Sequence, residues 1–213
     1  MNRPVEGPVG VKALWFAAAV ALQLFILVGM AADQMRVVAV GKAVRVMVKP
    51  VDPMSLFQGE YARLAYEFTS FDAKALEELG EGSSTFVKGE KVWVVLTPDQ
   101  GSDGAGLWRP VALSRVCPAE LDEKVAVRGE VSSFSSWTSR DWDKEQKKQV
   151  GPPIRHATLS LHTGLESFFV PQGEAAKLER EVREGETTAE LAVLPSGRAA
   201  VRKLFVKGRD ITF

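Results

Sequence analysis

The chain has 213 residues, and its 27 Lys+Arg are balanced by 27 Asp+Glu, so the formal charge at pH 7 is zero. That length holds one domain with additions rather than two full domains, and the neutral balance argues against a nucleic-acid partner, which normally demands a basic stripe for its phosphates. The single cysteine, Cys117, has no internal disulfide partner and reads as a buried small apolar residue ahead of Pro118.

A short tail, residues 1–12, precedes LWFAAAVALQLFILVGMAA, Leu14 to Ala32, a run without charge in which Gln23 is the one polar interruption. About twenty such residues, each rising roughly 1.5 Å, cross a hydrocarbon core about 30 Å thick. Gly29-Met30-Ala31 offers small residues where a signal peptidase could cut. The apolar stretch of a cleaved signal is shorter, however, at about 7–15 residues. The expectation is therefore an uncleaved anchor over 13–32 in membrane lipid, followed by a linker over 33–40. Arg3 and Lys12 precede the run while Arg36, Lys42, Arg45 and Lys49 follow it, so basic residues alone do not orient it. The arrangement expected is a cytoplasmic tail with the domain outside the inner membrane.

Beyond the linker the fold class reads as α+β: one transmembrane helix, then a β-rich domain over 41–213 with two short helices. AVRVMVK places Val44, Val46 and Val48 on one strand face, and Pro50 and Pro53 end that strand. In EYARLAYEF, strand alternation groups Ala62, Leu64, Tyr66 and Phe68, which sets Tyr61 on the other face; helical spacing fits nearly as well. SFDAKALEELG predicts a short helix with Asp72 as N-cap, Leu76 and Leu79 inward, and Gly80 as its stop. KVWVVLT, LWRPVALS and KVAVRGEV read as strands. Residues 132–155, polar and of mixed charge, read as a flexible loop carrying Trp137 and Trp142, two aromatics that either fold back on the sheet from a solvated hairpin or touch lipid, glycan or a partner. GEAAKLEREVREG predicts the second short helix, and AELAVLPSGRAAVRKLFVKG a hairpin turning at Pro195-Ser196-Gly197.

His156 and His162 are the only histidines and share a strand face. Six residues at about 3.3 Å each hold them roughly 20 Å apart, too far for one ion, so no metal site is expected. No cofactor is expected either.

Two stretches resemble a known family. VDPMSLFQGEYARLAYEF is similar to the naming motif of the GDYXXLXY proteins, a bacterial family, through Gly59, Glu60, Tyr61, Leu64 and Tyr66, with Glu60 where the motif has aspartate. TGLESFFVPQGEAAKLE resembles that family's second signature through Gly164, Glu166, Phe168, Phe169, Val170, Pro171 and Gly173, with Gln172 where glutamate is usual. The closing SGRAAVRKLFVKG also fits, so the likeness spans most of 41–208. The resemblance implies membrane association, no established activity, and an integral membrane protein as partner, since the domain also occurs fused to multi-pass proteins. Both departures fall on acidic positions, which suits a structural or contact role better than proton transfer.

Three function classes follow. The leading one is a non-enzymatic anchored domain that binds a multi-pass membrane protein, with the motif residues as its contacts and no catalytic residue. The second is an extracytoplasmic glycan- or lipid-binding module using Trp137 and Trp142. The third is a serine hydrolase resembling signal peptidases; alignment on Ser55-Leu56 and Gly59-Glu60 puts Val51 at the nucleophile, leaving Ser55 with Lys49 or Lys74 as the sole substitute. Pairing Glu60 with Glu166 as acid and base is the weakest enzyme reading.

Overall fold

A computed structural model describes residues 9–49, 61–99, 106–143, 148–169 and 187–211. It opens with a single long helix, α1 (Val9–Val40). Its apolar part is exposed all round, with Leu14, Trp15, Phe16 and Phe25 each more than two-thirds accessible. That apolar part, hydrophobic on every side and buried against none of the described residues, is long and apolar enough to cross a membrane. No separate linker exists over 33–40: those residues continue the helix to Val40, and Gly41 alone joins it to the first strand.

The body is built of strands in two five-stranded sheets and a two-stranded ribbon. In the first sheet the order is β12 (Arg209–Ile211), β11 (Ala199–Val206), β10 (Thr187–Val193), β1 (Lys42–Lys49) and β3 (Ala65–Tyr66). β1 pairs antiparallel with β10 from Lys42↔Val193 to Val48↔Thr187. Its Val44, Val46 and Val48 are buried, as the alternation in AVRVMVK predicts. The second sheet runs β4 (Ser70–Asp72), β8 (Lys148–His162), β7 (Val125–Asp143), β5 (Lys91–Pro98) and β6 (Trp108–Ser114). Buried faces of both sheets meet in one core that includes Tyr66, Phe68, Phe71, Leu96, Leu159, Leu191 and Leu204. β5 is covered at Val92, Val94, Val95 and Leu96, which explains its near-continuous apolar run.

In place of a flexible loop over 132–155, residues 132–143 and 148–155 form the two arms of a long hairpin, the alternative that the composition also allows. β7 and β8 pair from Glu130↔His162 out to Asp143↔Lys148, so polar Ser, Thr and Arg residues lie on strands. The composition misleads because the distal strands have little core to cover: Trp137 is 53% exposed and Ile154 41%.

Of the two short helices, α2 (Ala73–Glu78) forms as read: the Asp72 carboxylate accepts from the Ala75 amide at 2.8 Å, Leu76 is buried, and Gly80 follows at φ +76°. The second falls outside the described residues.

Candidate functional site

The motif strand does not run straight. Tyr61–Arg63 form β2, Leu64 interrupts, and Ala65–Tyr66 form β3 before a 3-10 turn over Glu67–Thr69. Thr69 closes that turn: its hydroxyl donates to the Tyr66 carbonyl at 2.8 Å and accepts from the Tyr66 amide at 3.3 Å. Strand alternation nonetheless holds for burial, because Leu64, Tyr66 and Phe68 all point into the core. The helical alternative for this stretch is therefore excluded.

The partner of β2 is the second signature. β9 (Ser167–Phe169) pairs with it antiparallel, Tyr61↔Phe169, Ala62↔Phe168 and Arg63↔Ser167. Pairing continues through the Leu64 amide, which donates to the Glu166 carbonyl at 2.8 Å. Across 99 positions of sequence, the Tyr66 hydroxyl donates to the Leu165 carbonyl at 2.9 Å. Two stretches far apart in the chain thus form one clasp.

The turn that presents β9 is set locally. Gly164 sits at φ +78°, a region costly for any residue with a Cβ. The Glu166 carboxylate staples the turn, with one oxygen accepting from both the amide (2.5 Å) and the hydroxyl (3.0 Å) of Thr163. Its other oxygen lies 3.2 Å from Nδ1 of His162. Both oxygens are thereby engaged, which leaves Glu166 poorly placed as a free acid or base. Burial, reinforced by the Glu166 charge, pushes the Tyr66 phenol well above its ordinary range. The hydroxyl stays protonated and serves as a hydrogen-bond donor.

Beside the clasp runs the end of α1. Gln34 and Val38 of the helix, Gly164, Leu165 and Ser167 of the signature turn, and Ala199–Val201 of β11 enclose a cleft of about 360 Å³. The helix is held there by three groups that the sequence reading missed. Asp33 pairs with Arg198 at 2.8 Å, Val37 is buried, and the Arg202 guanidinium donates to the Val38 and Gly41 carbonyls. Arg202 reaches them because the β10–β11 register shifts: Glu190 faces Lys203 and Leu191 faces Val201, so Arg202 is the extra residue of a bulge. Bulges re-aim side chains, and this one points a cation at a helix C-terminus that has no basic residue in its own last turn. Bulge positions and contacts 160 residues apart leave no local signal.

The other sequence candidates are dispersed. Trp137 stacks on His156 with ring centroids 5.0 Å apart, and the Nε2 of His156 is 2.7 Å from the Ser139 hydroxyl. Trp142 stands five positions further along β7, its backbone opposite Gln149. The two histidines have separate neighbours, and no three His, Cys, Asp or Glu side chains among the described residues are grouped to hold a metal. Lys74 pairs with Glu78 at 3.7 Å, and Lys49 lines a different groove, of about 570 Å³, with Glu67, Asp72 and Arg109. Gly59, Glu60, Pro171 and Gly173, with Val51 and Ser55 of the hydrolase reading, lie outside the described residues.

A family model described as the GDYXXLXY protein matches residues 23–204, most of the chain. The chain belongs to the GDYXXLXY family. The match begins inside α1 and ends in β11, so it takes in both halves of the clasp and the docked end of the helix. Comparison with curated proteins and with solved structures finds no match to either.

Proposed function

We propose that this GDYXXLXY chain is a non-enzymatic domain, anchored in the inner membrane by α1 and lying outside the cytoplasm, that binds a multi-pass membrane protein beside its own anchor. One observation carries the reading. The second signature turn and the last turns of α1 enclose a common cleft, and that cleft begins at Gln34, two residues past the apolar run. A partner lying in the bilayer next to α1 would meet those residues first.

Three further points support it. The described parts of both motif stretches are taken up by backbone pairing and a buried phenol, so the spacing of Tyr61, Leu64 and Tyr66 needs no reaction to account for it. The Glu166 oxygens are committed to Thr163 and His162. And α1 runs unbroken from its apolar stretch into the docked turns, so cutting near Ala31 would leave residues 33–40 as a severed stub bonded to the domain. An anchor that remains in place makes better use of that docking.

Photo-crosslinking from the cleft tests the reading. A benzophenone amino acid at Gln34 or Ser167, in native membranes, is expected to give a discrete adduct with an integral membrane protein. The same probe at Lys74 on α2 should give none. A chain that yields no adduct from the cleft, and elutes alone from mild detergent, overturns the proposal.

A further inference from the structure

We propose that the domain has a second contact with the bilayer, an apolar edge formed by the Arg115–Leu121 loop and the Leu194–Arg198 turn, which rests on the lipid surface next to the point where α1 emerges. This rests on the anchor reading above and uses residues other than the partner cleft.

The placement follows from connected contacts. The charge-free run of α1 ends at Ala32, and the next residue, Asp33, is bonded to Arg198 at 2.8 and 3.0 Å. A residue one position past the apolar run lies in the headgroup layer, which adds roughly 5–8 Å to each side of the hydrocarbon core. Arg198 closes a tight turn, its carbonyl accepting from the Leu194 amide at 2.8 Å, so Pro195 and Ser196 are drawn to the same level. The thiol of Cys117 faces the Pro195 carbonyl at 3.7 Å, which brings the second loop alongside.

The exposed surface there carries several apolar side chains beside the charged Arg115 and Glu120. Val116 is 72% accessible, Pro195 is exposed, Cys117 is exposed rather than buried as its residue type suggests, because it lies on a loop outside the sheets, and Leu121 and Leu194 are half-buried. With Val40, Pro118 and Ala119, the last two form the wall of a hollow of about 320 Å³ at the base of the helix. In water this edge would be an unrewarded exposure; against the acyl–headgroup boundary, each side chain gains by leaving water. Charge does not drive the contact. Arg36, Lys42 and Lys124 are offset by Glu120, Asp122 and Glu123 in the same region, so a zwitterionic surface suffices and salt should not disperse it.

The position of Cys117 provides the test. The full chain is reconstituted in phosphatidylcholine vesicles, with an environment-sensitive fluorophore on this one native cysteine, and quenched by shallow spin-labelled lipid or by aqueous iodide. A reference label goes on Lys74→Cys in a Cys117→Ser background. Lys74 belongs to α2, which lines a groove with Lys49 at the far end of β1, about 23 Å from Lys42 at 3.3 Å per residue. The expected result is several-fold stronger lipid quenching at Cys117 than at Lys74→Cys, with weaker iodide quenching and no change in high salt. Adding Val116→Asp, a change at an exposed position, should reduce the lipid quenching. Equal quenching at both sites in a chain that floats with the vesicles overturns the edge contact and leaves the anchor intact. A chain that does not float overturns both.

Discussion

At the scale of single residues, the core-facing motif positions Leu64 and Tyr66 act through what they bury. Tyr66 is fully buried, stacked on Phe68 with centroids 5.4 Å apart, and its hydroxyl has one partner, the Leu165 carbonyl. A buried tyrosine needs such a partner, because an unpaired polar group away from water is costly. The same burial that raises its pKa removes any prospect of a phenolate nucleophile near neutral pH. Tyr66→Phe keeps the ring and strands the carbonyl, so it should cost about 1–3 kcal/mol. In urea titration of the detergent-solubilised chain this should appear as a lower midpoint with an unchanged slope. An unchanged midpoint would mean that the clasp does not depend on that bond.

At the scale of elements, the helix terminus is stabilised from outside. Gly41 leaves no room for a side chain, since a Cβ there would lie 2.6 Å from the Val37 carbonyl oxygen and 2.8 Å from the Val193 nitrogen. Arg202, re-aimed by its bulge, caps the carbonyls that the helix leaves open. Arg202→Met keeps most of the aliphatic stem and removes the charged donors, so a loss of about 1–3 kcal/mol is expected. It should be concentrated in the last turn of α1, where faster amide exchange at Gly41, whose N–H bonds to Val37, is the readout. Protection lost evenly across the β-sheet would contradict a local cap. The same elements mark what could be read in advance. Local signals were sufficient for the apolar helix, for α2 with its Asp72 cap and Gly80 stop, for the alternation in β1, and for the β10–β11 turn. The structure departs from the reading where long-range contacts decide. Residues 33–40 remain helical because Val37, Asp33 and the Val38 carbonyl find partners on β10, β11 and the turn between them, and polar residues of 132–143 and 148–155 are strands because each arm of the hairpin pairs with the other. For the candidate site, the sequence named both signatures but not their pairing, which joins residues about a hundred positions apart.

At the scale of the whole molecule, the consequence is a rigid join between the apolar helix and the body. At roughly 1.5 Å per residue, the 32 residues of α1 extend about 48 Å, longer than a hydrocarbon core of about 30 Å. The surplus contains residues 33–40, where Asp33, Val37 and Val38 meet the body, so helix and body join without a loose linker. An anchored domain on a loose linker samples many attitudes, and a partner must select one at an entropic cost. Here the join sets the attitude in advance, and under the proposed reading that favours recognition of a neighbour at fixed height and angle beside α1. Spin labels at Ala32→Cys and Lys74→Cys, in a Cys117→Ser background and in nanodiscs, should therefore give one narrow distance distribution. Removing both outer clamps with Arg198→Ala and Arg202→Met should broaden it and shift its mean, since Gly41 then remains as a hinge with only Val37 packed above it. If the native chain itself gave a broad distribution, the helix would be a tether, and the cleft beside it would have no fixed geometry to offer a partner.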